Sequence, residues 1–120
     1  MKPARVLVVE PDGLLRTLVA EWLEQVGIHV VFPTGGPCEA AAKLGNVGAI
    51  VIDIPSPPRA DPVLQPWRRL FPQAAIIAAS ARFPPGHDTD DAMAGRLAVT
   101  KVLAKPYSRQ QLYAALGVPG

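Results

Sequence analysis

The chain has 120 residues, 49% of them hydrophobic and 18% charged, with a formal net charge of +2, which fits one globular domain spanning 1–120 that buries roughly two-thirds of its surface. Its cations are scattered, with Arg68-Arg69 and the pair Lys101 and Lys105 the only dense spots, and 6% aromatic content leaves no ladder of rings for stacking bases, so a nucleic-acid interface is excluded on both counts. One cysteine, Cys38, excludes a disulfide framework, no apolar run approaches the ~20 residues of a membrane span, and Glu10, Pro11 and Asp12 interrupt the first apolar run too early for a signal peptide, which leaves a cytoplasmic protein without membrane contact as the expectation.

Residues 5–9 read as a first strand, closed by Glu10. Leu14, Leu15, Leu18, Val19, Trp22, Leu23 and Val26 then recur at helical spacing. That predicts an amphipathic helix burying this set, with Arg16, Glu21, Glu24 and Gln25 on its wet side. Asp12 is placed as its N-cap and Gly27 as its stop. A short second strand covers 29–32, residues 33–36 form a turn, and Pro37 leads a second helix over 38–44 with Cys38 as a small apolar residue on it. After a turn at 45–48, the run 49–52 reads as a central strand, closed by Asp53.

Pro55, Pro57, Pro58, Pro62 and Pro66 crowd the next segment. Asp61-Pro62 reads as an N-cap followed by a first-turn proline. Pro66 then falls inside the helix, where it lacks an N–H and clashes with the turn behind it. The expectation is a short or kinked third helix, with Trp67, Leu70 and Phe71 buried and Pro72 as its end. Residues 74–79 form the fourth strand, closed by Ser80, and 83–86 form a loop. Residues 88–97 form a short fourth helix with Ala92, Met93 and Leu97 as its apolar side. Residues 101–104 form the fifth strand, closed by Lys105, and Ser108 caps a last helix that buries Leu112, Ala115 and Leu116. Right-handed crossovers then give an α/β fold, a doubly wound five-stranded parallel sheet of order 2-1-3-4-5.

In an open parallel sheet, chemistry sits beyond the carboxyl ends of the strands. Glu10, Asp53, Ser80 and Lys105 are therefore aimed at one edge. An aspartate there can act as a nucleophile toward phosphorus, giving an acyl phosphate. Such a site needs a cation to offset phosphoryl charge, a fixed point charge and a hydroxyl donor. Lys105 and Ser80 meet the last two needs, and Glu10 and Asp12, with Asp53, supply hard oxygens for a divalent cation. Taken alone, Asp53 reads as a cap, Ser80 as a strand-end hydroxyl bonded to a loop, and Lys105 as a solvated charge. Their order on consecutive strands joins them into one site. His29 in a strand and His87 in a loop read as ordinary residues, and no Cys/His metal spacing or Ser/His/Asp set exists.

Val-Leu-Val-Val-Glu (6–10), Ile-Asp-Ile-Pro-Ser-Pro (52–57), Ile-Ile-Ala-Ala-Ser-Ala (76–81) and Val-Leu-Ala-Lys-Pro-Tyr-Ser (102–108) together resemble a response-regulator receiver domain of the single-domain, CheY-like kind. The resemblance covers about 5–116. It implies a flavodoxin-like three-layer sandwich and a role in two-component signalling. It implies Asp53 as phosphoacceptor, fed by a histidine kinase or histidine phosphotransfer protein. Ser80 matches the family's switch hydroxyl, Ala81 the small residue beside it, and Lys105 the phosphate-binding lysine. A cis bond before Pro106 is implied, as is a magnesium ion held by Glu10, Asp53 and the backbone carbonyl of Pro55, with Asp12 as a further candidate.

This chain also departs from the family's pattern. The second of two adjacent acids is replaced by Pro11, which has no carboxylate, so magnesium is expected to bind weakly. The aromatic ring three residues before the lysine is replaced by Val102, with no aromatic nearby in the strand. The segment after Asp53 is rich in proline, and the stretch from Ser80 to Lys105 is longer than usual. The favoured reading is a stand-alone phosphoacceptor that signals to a downstream protein through the face of helix four, strand five and helix five. It is no enzyme beyond self-catalysed phosphotransfer to, and hydrolysis from, Asp53. The alternative is a degenerate receiver acting as a phosphorylation-independent interaction module. A flavin-binding electron carrier is disfavoured because the acidic loop Glu10-Pro11-Asp12-Gly13 repels a phosphate.

Overall fold

The apolar runs pair in parallel. The computed structural model describes residues 2–83 and 91–119. Its strands are β1 (Arg5–Val9), β2 (His29–Val31), β3 (Ala49–Asp53), β4 (Ala75–Ser80) and β5 (Lys101–Ala104). They form one sheet in the order β2-β1-β3-β4-β5, all neighbours parallel. Helices α1 (Gly13–Glu24), α2 (Pro37–Leu44), α3 (Ala60–Leu70), α4 (Asp91–Leu97) and α5 (Arg109–Ala115) alternate with the strands. The expected doubly wound topology is the observed one. No helix among the described residues is long and apolar enough to cross a membrane.

Side chains of a strand alternate between faces, and both faces of this sheet are apolar. Leu7, Ile50, Ile52, Ile76, Ala78, Val102 and Ala104 pack on one side with Ala40, Leu64, Trp67, Ala94 and Leu97 from α2, α3 and α4. Val6, Val8, Ala49, Val51, Ile77, Ala79 and Leu103 pack on the other with Val19, Leu23, Leu112 and Tyr113 from α1 and α5. Each fully buried Leu, Ile or Val stabilises the fold by about 1.5–3 kcal/mol, so the polar ends of the central strands are held on a stiff frame.

Helix chemistry sets the loops at the carboxyl edge. Asp12 caps α1 by accepting from the N–H groups of Leu14 and Leu15. At the opposite edge Gly27, at φ 80°, turns the chain into β2. Ser108 caps α5 through a reciprocal capping box with Gln111. The last helix buries Leu112 and Leu116 and half-buries Ala115, and Tyr113 joins them.

Several expectations are corrected. Leu14 was expected in the core and is 73% exposed. At 100° per residue it stands about 140° around the helix from the buried Val19. Asp61 does not cap α3. A 3-10 turn over Pro57–Arg59 leads into the helix, which starts at Ala60, and Asp61 instead pairs with Arg68 at 2.6 Å. Pro66 does not shorten that helix, which runs for 11 residues through it. Burial of Ala60, Leu64 and Trp67 outweighs the missing hydrogen bond. Of the apolar side expected for α4, Leu97 is buried and Met93 half-buried, whereas Ala92 is exposed and Ala94 takes its place. Cys38 lies exposed on α2. Residues 84–86, His87 and 88–90 lie outside the described residues.

Candidate functional site

Alternation along the strands carries past their last residues and decides which way each polar side chain leaves the sheet. Counting on from Val6 and Val8, from Ala49 and Val51, and from Leu103, residues Glu10, Asp53 and Lys105 all fall on the α1 and α5 side. Ser80 counts with Ile76 and Ala78 and falls on the other. Lys105 Nζ donates to Asp53 Oδ1 at 2.6 Å and lies 2.6 Å from Glu10 Oε1. These side chains are only 16%, 29% and 4% exposed, for Lys105, Asp53 and Glu10 respectively. Glu10 Oε2 accepts the backbone N–H of Asp12 at 3.0 Å. The Lys105–Pro106 peptide is cis.

Burial pulls the Lys105 pKa down, but the hydrogen bonds and charges of Asp53 and Glu10 together outweigh it and leave it raised. Tyr107, buried two residues on, has its phenol pushed up by burial first and then by the same two carboxylates. Both groups therefore hold their protons at neutral pH.

Ser80 is buried, and its hydroxyl is engaged with backbone rather than with Asp53. It donates to the carbonyl of Pro55 at 2.9 Å and accepts the N–H of Arg82 at 3.0 Å. One side chain thus pins the loop after β3 to the loop after β4. Ser80 still lines the same open cleft of about 670 Å³ as Asp53, Pro55 and Lys105. The cleft also takes Arg59 and Arg82, which sequence reading missed. Arg82 was discoverable two residues beyond Ser80. Arg59 was not, because the 3-10 turn that carries it back to the edge was not anticipated.

Phe83 is a second omission. Val102 lies in the core layer facing α3 and α4, and Phe83, 3% exposed, packs into that same layer from the loop after Ser80. An aromatic ring is thus present in the layer that holds Val102, supplied by another element.

The donor set does not fit the divalent cation that the resemblance implies. Magnesium asks for carboxylate oxygens in near-octahedral array. Pro11 offers none. Asp12 spends one carboxylate oxygen on the α1 cap, Asp53 has one oxygen on Lys105, Glu10 has one oxygen on Lys105 and the other on Asp12 N–H, and the Pro55 carbonyl already accepts from Ser80. Among the described residues, no three His, Cys, Asp or Glu side chains group to hold a metal.

No family model matches the chain, and no curated protein matches it. Solved structures do. A response-regulator receiver domain protein from Clostridium thermocellum is 18% identical with a TM-score of 0.70, covering 95% of this chain and 91% of that one. The chemotaxis protein CheY4 of Vibrio cholerae is 21% identical with a TM-score of 0.71, covering 95% and 96%. A response regulator protein from Burkholderia pseudomallei, described with a phosphorylated aspartic acid, calcium ion and citrate, is 22% identical with a TM-score of 0.64, covering 93% and 65%. The chain has the receiver-domain fold.

Proposed function

We propose that this chain acts as a response-regulator receiver, accepting a phosphoryl group on Asp53 from a histidine kinase or histidine phosphotransfer protein and signalling by protein contact. The observation that carries the reading is the ion-paired set of Glu10, Lys105 and Asp53, of which Lys105 and Asp53 line an open cleft on the carboxyl edge of the sheet. In the transfer, an Asp53 carboxylate oxygen attacks the phosphorus of a phosphohistidine. The O–P bond forms, the P–N bond breaks, and the electron pair returns to the imidazole nitrogen. Lys105 supplies a fixed positive charge for the phosphoryl oxygens. The similar Burkholderia protein, with its phosphorylated aspartic acid, supports the same chemistry here.

Transmission then runs through Ser80. When its hydroxyl leaves the Pro55 carbonyl for a phosphoryl oxygen, it also lets go of the Arg82 N–H. That frees the loop carrying Phe83, which packs in one layer with Ala94 and Leu97 of α4. Phosphorylation shifts population toward this rearranged state.

The test is incubation with phosphoramidate followed by intact mass. The wild type gains one phosphoryl group and Asp53→Asn gains none. The replacement of an acid by Pro11 favours a second reading, a phosphorylation-independent interaction module. A folded wild-type chain that gains nothing at any donor concentration decides for that module.

A further inference from the structure

The cleft beside Asp53 is lined by three cationic side chains, Arg59, Arg82 and Lys105, against a single carboxylate, Asp53 itself. Lys105 is already paired with Asp53 and with Glu10 behind it, so the uncompensated charge is that of Arg59 and Arg82, and it disfavours a divalent cation and favours a phosphoryl dianion. Arg59 stands where the 3-10 turn meets α3, and Arg82 follows Ser80 on the loop after β4. The two arginines therefore face the cleft from its two rims. Two other arginines are engaged elsewhere. Arg68 pairs with Asp61, and Arg5 bonds the carbonyls of Leu44 and Asn46. Arg59 and Arg82 make no ion pair among the described residues. A guanidinium presents a planar fork of donors that matches two phosphoryl oxygens at once.

From this cleft, and from the metal-ligand set that Pro11 and the α1 cap leave incomplete, we infer that Arg59 and Arg82 do the charge compensation a divalent cation would do, so that Asp53 takes up a phosphoryl group without metal. The inference rests on the reading of Asp53 as phosphoacceptor. The developing charge on the phosphoryl oxygens is met by two guanidinium groups and the Lys105 ammonium. With phosphoramidate as donor, an Asp53 oxygen bonds to phosphorus and the P–N bond breaks. The electron pair goes to nitrogen, which takes a proton from water and leaves as ammonia.

The experiment follows phosphoryl uptake from phosphoramidate by intact mass, in excess EDTA and in excess magnesium, for the wild type, Arg59→Gln, Arg82→Gln and the double variant. Circular dichroism confirms that each is folded. The wild type is expected to react at rates within about threefold of each other in the two conditions. Each single variant loses about tenfold or more in EDTA, as expected for one charge-assisted hydrogen bond removed, and the double variant loses more than either. Uptake by the wild type only with magnesium overturns the metal-free inference and leaves Asp53 as acceptor. Uptake in EDTA that the arginine variants match overturns the role of the arginines. No uptake in either condition overturns both the inference and the reading beneath it.

Discussion

Replacing Lys105 by Met removes the charge between Glu10 and Asp53 while keeping an apolar stem of similar length. Lys105 Nζ lies 2.6 Å from an oxygen of each carboxylate. Taking away one partner of a buried ion pair costs about 3–5 kcal/mol, because the remaining charge is left uncompensated. Asp53 is 29% exposed and can turn to water, whereas Glu10 is 4% exposed and keeps only the Asp12 N–H. The expected loss for Lys105→Met is therefore about 2–4 kcal/mol, most of it from Glu10. That is survivable within the 5–15 kcal/mol typical of a domain. Urea unfolding reads it as a lower midpoint at unchanged slope. Adding Glu10→Gln should return about 1–2 kcal/mol, since a neutral amide needs no counter-charge. A loss below about 0.5 kcal/mol, or no recovery in the double variant, refutes the ion-paired geometry on which the site is built.

Lys105 and Tyr107 both hold their protons more tightly in the fold than at their ordinary values of 10.5 and 10.0. Their stabilisation is complete below those values and is lost as pH rises through the raised ones. Thermal unfolding should therefore show falling stability above pH 10.0, with a shallower fall in Tyr107→Phe, and an unchanged slope in that variant contradicts the assignment. Phe83→Ala opens a cavity in the layer it shares with Val102 and should cost about 3 kcal/mol in urea unfolding. A change within about 0.5 kcal/mol shows that Phe83 is not packed there. Pro11→Asp supplies the missing acid, so manganese should broaden the amide resonances of Glu10, Asp53 and Pro55's neighbours in that variant and spare them in the wild type. Equal broadening in both contradicts the account of Pro11 as the absent ligand.

The topology was legible because four of the five strands run to a polar residue and several helices carry their own signals. Asp12 and Ser108 cap where their residue types predict. Buried parallel strands are apolar on both faces, so runs such as Ala49–Asp53 show no alternation to read. Counting positions from one face would still have put Glu10, Asp53 and Lys105 together and Ser80 apart. What could not be read was the path of the proline-rich segment. Its 3-10 turn brings Arg59 to the cleft and leaves Asp61 for Arg68 rather than for a cap. Phe83 was hidden for a related reason, since it joins the layer of Val102 from a loop, and no periodicity within the loop reports it.

The most direct test of the central claim is chemical mapping of the acceptor. Borohydride reduces an acyl phosphate to an alcohol, so a phosphorylated aspartate is converted to homoserine and its position is read by peptide mass. After treatment with phosphoramidate and then borohydride, residue 53 should carry homoserine, and it should remain aspartate when the donor is left out. Homoserine at another carboxylate, or intact aspartate at 53 in a chain that has gained a phosphoryl group, contradicts the account.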